Sequence, residues 1–172
     1  MSTLSRIPGS RYDGPMTIIR LADSSCSVSR SLAVLGERWT ILILREAIDG
    51  QTRFAGFCDA LGVTTDVLSD RLATLVDHGV MYREPYQEPG SRTRFEYHLT
   101  DAGRELHVLV GALQQWGDEH LPWPDGPTIE RRAQRTGRPV HAAFIDDLGY
   151  EVPAADVVTI QTDAWRRAAA AR

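Results

Sequence analysis

The sequence predicts an α+β fold that is mostly α, on the strength of three neighbouring patterns. A capped amphipathic segment, Thr64–His78, follows a shorter amphipathic segment, Arg53–Leu61, across the glycine-containing turn Gly62-Val63. Two stretches of alternating polarity around a turn come directly after them. A longer apolar-striped helix, Asp101–His120, follows. This order is that of a winged helix-turn-helix with a long dimerisation helix.

The segment Thr64–His78 is predicted to be the helix that reads DNA. Its apolar residues recur on one side of a 3.6-residue turn; they are Val67, Leu68, Leu72, Leu75 and Val76. Thr64 and Thr65 are N-cap candidates, and Gly79 lies where helices commonly end. The other side carries short polar groups and one arginine, which suits a helix in a major groove. Taken alone, the segment also fits an ordinary surface helix.

Two further helices are expected before this pair. Cys26–Leu35 is amphipathic and ends at Gly36. Trp39–Ile48 is nearly all apolar, which fits a buried helix or a buried strand, and its length favours a helix at the centre of the core. Trp39 and Leu42 are therefore expected to be core residues.

A β-hairpin, the wing, is predicted from Val80–Tyr86 and Thr93–Leu99. Between them, Pro89-Gly90-Ser91 is a turn signal. The tip, Gly90–Arg94, carries two arginines and no acidic residue. Arginines at such a tip are suited to contacts with the phosphate backbone.

The chain divides into four parts where its composition changes. These are a flexible arm at 1–25, the winged helix-turn-helix and dimerisation domain at 26–121, a Pro- and Arg-rich linker at 122–135, and a small C-terminal extension at 136–172. The extension is predicted to hold two strands, Val140–Ile145 and Val157–Ile160, and a weak helix or frayed tail at Asp163–Arg172. It is too small to be a domain by itself.

Composition is that of a soluble globular protein. The 172 residues are 42% hydrophobic and 24% charged, the net charge is −4, and all 19 basic side chains are arginine. No segment approaches the ~20 apolar residues of a membrane span, and the N-terminus lacks the apolar run of a secretory signal. A cytoplasmic protein that does not enter membranes is therefore expected. The net charge argues mildly against nucleic acid, so any DNA binding depends on where the arginines lie.

Several motifs in a fixed order carry a family resemblance. They are a cysteine-containing entry at Cys26, the run Gly36-Glu37-Arg38-Trp39-Thr40, the pair Arg53-Phe54, the L-S-x-R-L segment Leu68–Leu72, and Tyr-x-Leu-Thr-x-x-Gly at Tyr97–Gly103. Over Cys26–Leu121 the sequence resembles the HxlR family of bacterial transcriptional regulators, which are MarR-like winged helix-turn-helix proteins. The resemblance implies a homodimeric regulator, often a repressor, that binds an inverted-repeat operator in double-stranded DNA.

The resemblance also implies where the DNA contacts lie. Major-groove contacts are expected from Thr64, Thr65, Asp66, Ser69 and Arg71, wing contacts to phosphate from Arg92 and Arg94, and a backbone contact from Arg53. Asp66 and Asp70 fit this badly, because carboxylates accept from cytosine amino groups but repel phosphate. Cys26–Glu119 holds 14 acidic residues and 9 arginines, so we expect weak non-specific binding with a strong salt dependence.

The long helix Asp101–His120 and Cys26 are the candidates for assembly and regulation. A helix with so much apolar surface implies a partner helix, most simply that of a second subunit. The candidate interface residues are Leu106, Leu109, Leu113 and Trp116. Cys26 is a candidate sensor of thiol-reactive compounds, since a cysteine near a helix N-terminus gains thiolate character. The alternative interpretation is a small packing residue at a subunit interface.

No enzyme activity, cofactor or metal site is expected. The five histidines have no metal-ligand spacing, and the sequence lacks a nucleophile elbow, a glycine-rich phosphate loop and a paired-carboxylate motif. A second class of function stays open, a winged-helix module that binds a protein instead of DNA. A third hypothesis is a small effector held in a pocket that the extension closes against the dimerisation helices.

Overall fold

The structure, a computed structural model, describes residues 21–170. The helices are α1 (Ser27–Leu35), α2 (Arg38–Ile48), α3 (Phe54–Leu61), α4 (Thr65–Asp77), α5 (Asp101–Glu105), α6 (His107–His120) and α7 (Asp163–Ala170). The strands are β1 (Met81–Tyr86), β2 (Arg94–Leu99), β3 (Phe144–Ile145) and β4 (Glu151–Val152). The mostly helical α+β fold is confirmed. Most of the predicted arm, including Arg6, Arg11 and Arg20, lies outside the described residues.

The core forms where α2, α3, α4 and the base of the wing meet. Its fully buried side chains include Ile43 and Leu44 of α2 and Phe57 of α3. The apolar stripe of α4 completes it, with Leu68, Leu72 and Leu75 buried. Trp39 packs against this cluster and Leu42 is half-buried, so α2 lies at the centre, as its apolar run predicts.

The turn between α3 and α4 fixes how the two helices meet. Gly62 ends α3 with φ +62°, a left-handed conformation that costs little only for glycine. Thr64 is extended and precedes α4, but its side chain forms no capping hydrogen bond. Its carbonyl oxygen instead accepts from the Leu68 amide at 3.0 Å. Thr64 therefore begins the helix through its backbone, and its hydroxyl is left available.

The wing is an antiparallel hairpin that returns the chain to the core. Met81 lies opposite Leu99 at its base, and Tyr86 lies opposite Arg94 near its tip. At the base, the Thr100 hydroxyl donates to the Gly79 carbonyl oxygen at 2.6 Å and accepts from the Gly103 amide at 3.1 Å. Thr100 therefore caps the helix that follows and joins that helix to the base of the wing.

The predicted continuous helix Asp101–His120 is interrupted at Leu106. The Leu106 amide donates to the Gly103 carbonyl oxygen at 3.2 Å, which is a tighter i→i−3 turn. Helical bonding resumes with Val110, whose amide donates to the Leu106 carbonyl oxygen. The apolar periodicity runs through this turn, which is why the sequence pattern does not reveal it.

The second strand predicted in the C-terminal extension is wrong. Phe144–Ile145 pairs with Glu151–Val152, whereas Val157–Ile160 is not a strand. The Asp146 carboxylate accepts from the backbone amides of Leu148 and Tyr150 at 3.0 and 2.9 Å. This Asx-type turn closes the hairpin early, so the chain pairs with the nearer segment and not with the more apolar one.

Candidate nucleic-acid interface

The helix α4 presents a buried face and a free face. Leu68, Leu72 and Leu75 are fully buried, and they fix the helix against α2 and α3. Away from this face, Thr64, Thr65, Asp66 and Ser69 are exposed, whereas Arg71 lies at its edge and is half-exposed. Within residues 21–170, none of these five side chains has a hydrogen-bond or ion-pair partner. The predicted reading residues therefore lie at the start of α4 and around its exposed sides, with their polar groups unused in the described part of the chain.

The tip of the wing is held by short-range contacts and carries free cations. The Gln87 side-chain amide donates to the Ser91 carbonyl oxygen at 2.9 Å, and the Ser91 amide donates to the Glu88 carbonyl oxygen at 3.0 Å. Arg92 and Arg94 are exposed. Across the described part of the chain, neither guanidinium has a carboxylate partner. Both guanidiniums are thus accessible at the surface of the wing tip.

Arg53 has a role that its position in the sequence did not reveal. Its Nε donates to Glu96 Oε1 at 3.1 Å, and its terminal nitrogen lies 3.0 Å from Glu88 Oε1. The guanidinium also lies 4.7 Å from the ring centre of Tyr86. The hydrogen bond that Arg53 donates to the Glu96 carboxylate raises the pKa of Arg53. Arg53 therefore ties the start of α3 to both sides of the wing.

The backbone reinforces this tie between α3 and the wing. Arg53 forms an isolated antiparallel bridge with Glu96, and the Tyr97 amide donates to the Thr52 carbonyl oxygen at 2.8 Å. Glu88 and Glu96 are 35 and 43 residues away from Arg53 along the chain. The sequence would have indicated these ion pairs only if the pairing of the hairpin with the Thr52-Arg53 segment had been known. With half of its side chain exposed (51%), Arg53 still reaches the surface.

The two cysteines have different environments. Cys26 is exposed at the residue that precedes α1, and hydrogen bonds from Ser29 and Val28 lower the pKa of its thiol. Cys58 is half-buried on α3, where burial, with a smaller effect from Asp59, raises the pKa of its thiol. The structure thus separates a reactive candidate from an inert one, and it contains no disulfide between these two residues.

The predicted interface residues divide between the core and the surface. Leu106 is half-buried and packs against the core, beside the buried Val110. Leu109, Leu113 and Trp116 are exposed by 40%, 48% and 56%. These three residues, named here the α6 stripe, lie on one side of the helix at spacings of four and three. In the single chain they form an uncovered apolar surface.

Comparison with known proteins shows which family the chain matches. The family described as HxlR-like helix-turn-helix matches residues 34–124, slightly more than half of the chain. The chain belongs to the HxlR family. An HTH-type transcriptional regulator of Mycobacterium tuberculosis, Rv3095, is 44% identical over 132 residues, which cover 76% of this chain and 82% of the relative. The chain is therefore a transcriptional regulator of the helix-turn-helix type, and the resemblance found in the sequence is confirmed.

Solved structures extend the similarity beyond the winged helix. The candidate transcription factor PA1607 is 37% identical with a TM-score of 0.70, and the match covers 82% of this chain and 98% of that one. The redox regulator HypR in its reduced form is 30% identical with a TM-score of 0.51, covering 56% of this chain and 94% of that one. PA1607 therefore shares a fold that includes much of the C-terminal extension, whereas HypR matches the shorter part.

The described residues show neither a cluster of metal-ligating side chains nor a membrane-spanning helix. In residues 21–170, no group of three or more His, Cys, Asp or Glu side chains is arranged to hold a metal ion. The same residues contain no helix that is both long and apolar enough to cross a membrane.

Proposed function

We propose that this HxlR-family chain is a homodimeric, sequence-specific DNA-binding regulator that acts as a repressor. The observation that carries the proposal is the two-sided construction of α4. Three fully buried leucines hold the helix, and the five polar side chains at its start and along its exposed sides have no partner within residues 21–170. Such a helix can enter a major groove without first breaking protein contacts, which is what a reading helix requires.

The reading contacts are assigned by the chemistry of each side chain. Arg71 supplies the forked donor that pairs with guanine O6 and N7. Thr64, Thr65 and Ser69 supply hydroxyls for bases or phosphates, and Asp66 can accept from a cytosine amino group. Arg92 and Arg94 contact phosphate from the wing, and Arg53 acts beside them by bracing the wing through Glu88 and Glu96. The arginines thus oppose the acidic charge of the rest of the domain.

A second copy of the chain is proposed to cover the α6 stripe. In the dimer, the apolar surface of the exposed side chains Leu109, Leu113 and Trp116 would be removed from water. Val28 and Leu32 of α1 are exposed as well, so the apolar surface is not restricted to one helix. Two reading helices related by a two-fold axis would then meet half-sites about one helical turn apart.

Regulation is proposed to act through the dimer, by a small effector or by a thiol event at Cys26. Exposure and a lowered pKa make Cys26 the more reactive thiol. The similarity to HypR, which is a redox regulator, supports the thiol route. A change at the dimer interface would reorient the two α4 helices and alter the spacing of the half-sites that they fit.

A gel shift on the DNA upstream of the chain's own gene, repeated over a salt series, tests the proposal. A specific complex whose affinity falls steeply with salt is expected, because each phosphate contact releases counterions. Adding a thiol oxidant to the same reaction tests Cys26. Absence of a specific complex in both the reduced and the oxidised protein would favour the other reading, a protein-binding module with the acidic surface of Cys26–Glu119.

A further inference from the structure

The extension and α6 enclose a cavity of about 860 Å³ that the DNA-binding face does not use. We propose that this cavity binds a small organic carboxylate with an apolar body, and that Arg131 holds the carboxylate. The volume lies within the range of small-molecule sites in proteins. The proposal concerns binding to the free protein, so it does not depend on the proposed DNA complex.

Two glutamines of α6 hold the walls of the cavity in place. The Gln114 side-chain amide donates to the Ile129 carbonyl oxygen at 2.7 Å. Farther along the extension, the Ala142 amide donates to Gln115 Oε1 at 2.9 Å. The extension is therefore fastened to α6 at both ends of the segment 129–142, and the space between is already formed before a ligand enters.

Arg131 is the unusual charge in this space. It is half-buried, and its side chain crosses α6 at Gly111, where an added Cβ would lie 3.7 Å from the Arg131 Cδ. Its Nε donates to His107 Nε2 at 3.3 Å. Within residues 21–170 its two terminal nitrogens have no acceptor and no carboxylate partner. A partly buried guanidinium with two free donors is matched by a carboxylate, which accepts both in a bidentate pair.

The other charges around the cavity do not favour a cation instead. Arg132 is paired with Glu130, so that cation and that carboxylate balance each other. Asp118 accepts from the Gln114 amide at 3.3 Å, and both Asp118 and Glu119 are exposed to water. Exposed carboxylates are solvated at little cost, whereas a half-buried arginine without an acceptor is not. The unmet polar requirement of the cavity is therefore for an anion.

Apolar side chains along the cavity provide a surface for the body of the ligand. Val108 of α6, Ile129 of the linker and Val140 of the extension line it, and all three are exposed in the free chain. A ligand with a hydrocarbon or aromatic body would remove this surface from water. The residues of α6 that line the cavity lie on roughly the opposite side from the α6 stripe, since successive residues turn by about 100°. A second copy on that stripe would leave the cavity open.

Calorimetric titration of the full chain with octanoate, octan-1-ol and octylammonium tests the proposal. These probes share one apolar tail and differ in charge. Octanoate is expected to saturate one site per chain, with an affinity at least about ten-fold above that of either other probe, a difference of about 1.4 kcal/mol. Arg131→Met is expected to lower the octanoate affinity by at least about ten-fold. Arg138→Met, which removes the same charge from an exposed arginine elsewhere in the extension, should change it less than two-fold.

A second variant keeps the test decisive if Arg131→Met does not fold. Val108→Trp fills the cavity from an exposed position of α6, so it should remove octanoate binding and leave thermal unfolding unchanged. Equal binding of octan-1-ol and octanoate, tighter binding of octylammonium, or equal effects of Arg131→Met and Arg138→Met would each overturn the assignment. Failure of octanoate to saturate the wild-type chain would overturn it as well.

Discussion

Arg71 and Arg92 are expected to contribute to DNA binding in different ways. Arg71 lies on the reading face of α4, so Arg71→Ala should cost about 1–3 kcal/mol per half-site and relax the choice of one base pair. Arg92 lies on the wing tip, so Arg92→Ala should weaken all sequences alike and reduce the slope of affinity against salt. Fluorescence anisotropy on specific and scrambled duplexes, over a salt series, measures both effects.

The control for these two variants is another exposed arginine. Arg138→Ala removes a cation from the extension, away from α4 and the wing, and should leave the affinity within two-fold. All three proteins should unfold at the same temperature, because the three side chains have no carboxylate partner in residues 21–170. Unchanged affinity in both Arg71→Ala and Arg92→Ala would remove the assignment of the interface.

Glu88→Gln distinguishes two roles for Arg53, which is paired with both Glu88 and Glu96. If Arg53 acts by bracing the wing, Glu88→Gln weakens the brace and lowers DNA affinity by a few-fold. Stability should change by no more than about 1 kcal/mol, because the pair is half-exposed. If Arg53 instead binds phosphate directly, the same substitution frees it and removes a negative charge, so the affinity rises. We expect the decrease, measured by anisotropy with Glu105→Gln as the control, because it removes the same charge from an exposed carboxylate that has no partner within residues 21–170.

Cys26 should react faster than Cys58 with an alkylating agent. Hydrogen bonds from Ser29 lower the pKa of Cys26, whereas burial raises the pKa of Cys58, so at pH 7 the thiolate fraction is larger at Cys26. Mass spectrometry after iodoacetamide treatment should show modification at Cys26 at least about ten-fold faster. The rate at Cys26 should also level off at a lower pH than the rate at Cys58. Similar rates and pH profiles at the two residues would argue against a sensor at Cys26.

At the scale of single residues, the sequence predicts which side of a helix a residue lies on better than it predicts which distant residues that residue contacts. The 3.6-residue spacing of Leu68, Leu72 and Leu75 leaves Ser69 outside the buried face of α4, where it is exposed, and places Arg71 at the edge of that face, where it is half-exposed. The brace joins Arg53 to Glu88 and Glu96, which lie 35 and 43 positions farther along the chain. Such contacts depend on where the hairpin lies in space, which no local pattern contains.

Two helical glycines offer a matched test of how the elements pack. At Gly103 of α5 an added Cβ would overlap the carbonyl oxygen of Val80, while at Gly117 of α6 nothing lies within 4 Å. Gly103→Ala should therefore destabilise the fold by about 1–3 kcal/mol, because the base of the wing must move. Gly117→Ala should stabilise it by up to about 1 kcal/mol through helix propensity. Urea unfolding measures both, and equal signs would contradict the close approach at Gly103.

At the scale of elements, the predicted boundaries are accurate for α1 to α4 and the wing, which have a buried face, and inaccurate for the strands of the extension, which have none. The boundaries of α1 to α4 and of the wing differ from the predicted ones by about a residue, because apolar periodicity and glycine stops agree there. In the extension, Val158 and Ile160 are exposed, so no buried face set the strand positions. The turn formed by Asp146 decided the pairing instead.

At the scale of the whole molecule, α6 contacts or faces three parts of the assembly: the core, the proposed second copy and the C-terminal part of the chain. Val110 packs into the core of the winged helix, the α6 stripe is exposed and is proposed to contact a second copy, and Gln114 and Gln115 hold the segment 129–142 against α6. A ligand in the cavity and a change at the dimer interface would therefore act on the same helix. This arrangement gives a direct route from effector to DNA-binding face.

The proposed dimer gives a test at this scale. Leu113→Glu places a charge in the middle of the α6 stripe and should shift the chain from dimer to monomer in sedimentation velocity. The monomer should keep its helical circular dichroism spectrum, since Leu113 is already exposed in the single chain. Leu148→Glu, at a more exposed leucine (77%) in the turn of the extension, is the matched control and should remain dimeric. Identical sedimentation of the two variants would contradict the assigned interface.

Selection of binding sites from a library of random duplexes by the purified full chain tests directly whether α4 reads DNA. We expect enrichment of an inverted repeat whose half-sites lie about 10 base pairs centre to centre, because two α4 helices would face successive major grooves. Arg71→Ala should enrich the same repeat with one position relaxed. Selection in which neither the reduced nor the oxidised protein enriches any repeat would contradict the assignment of α4 as a DNA-reading helix.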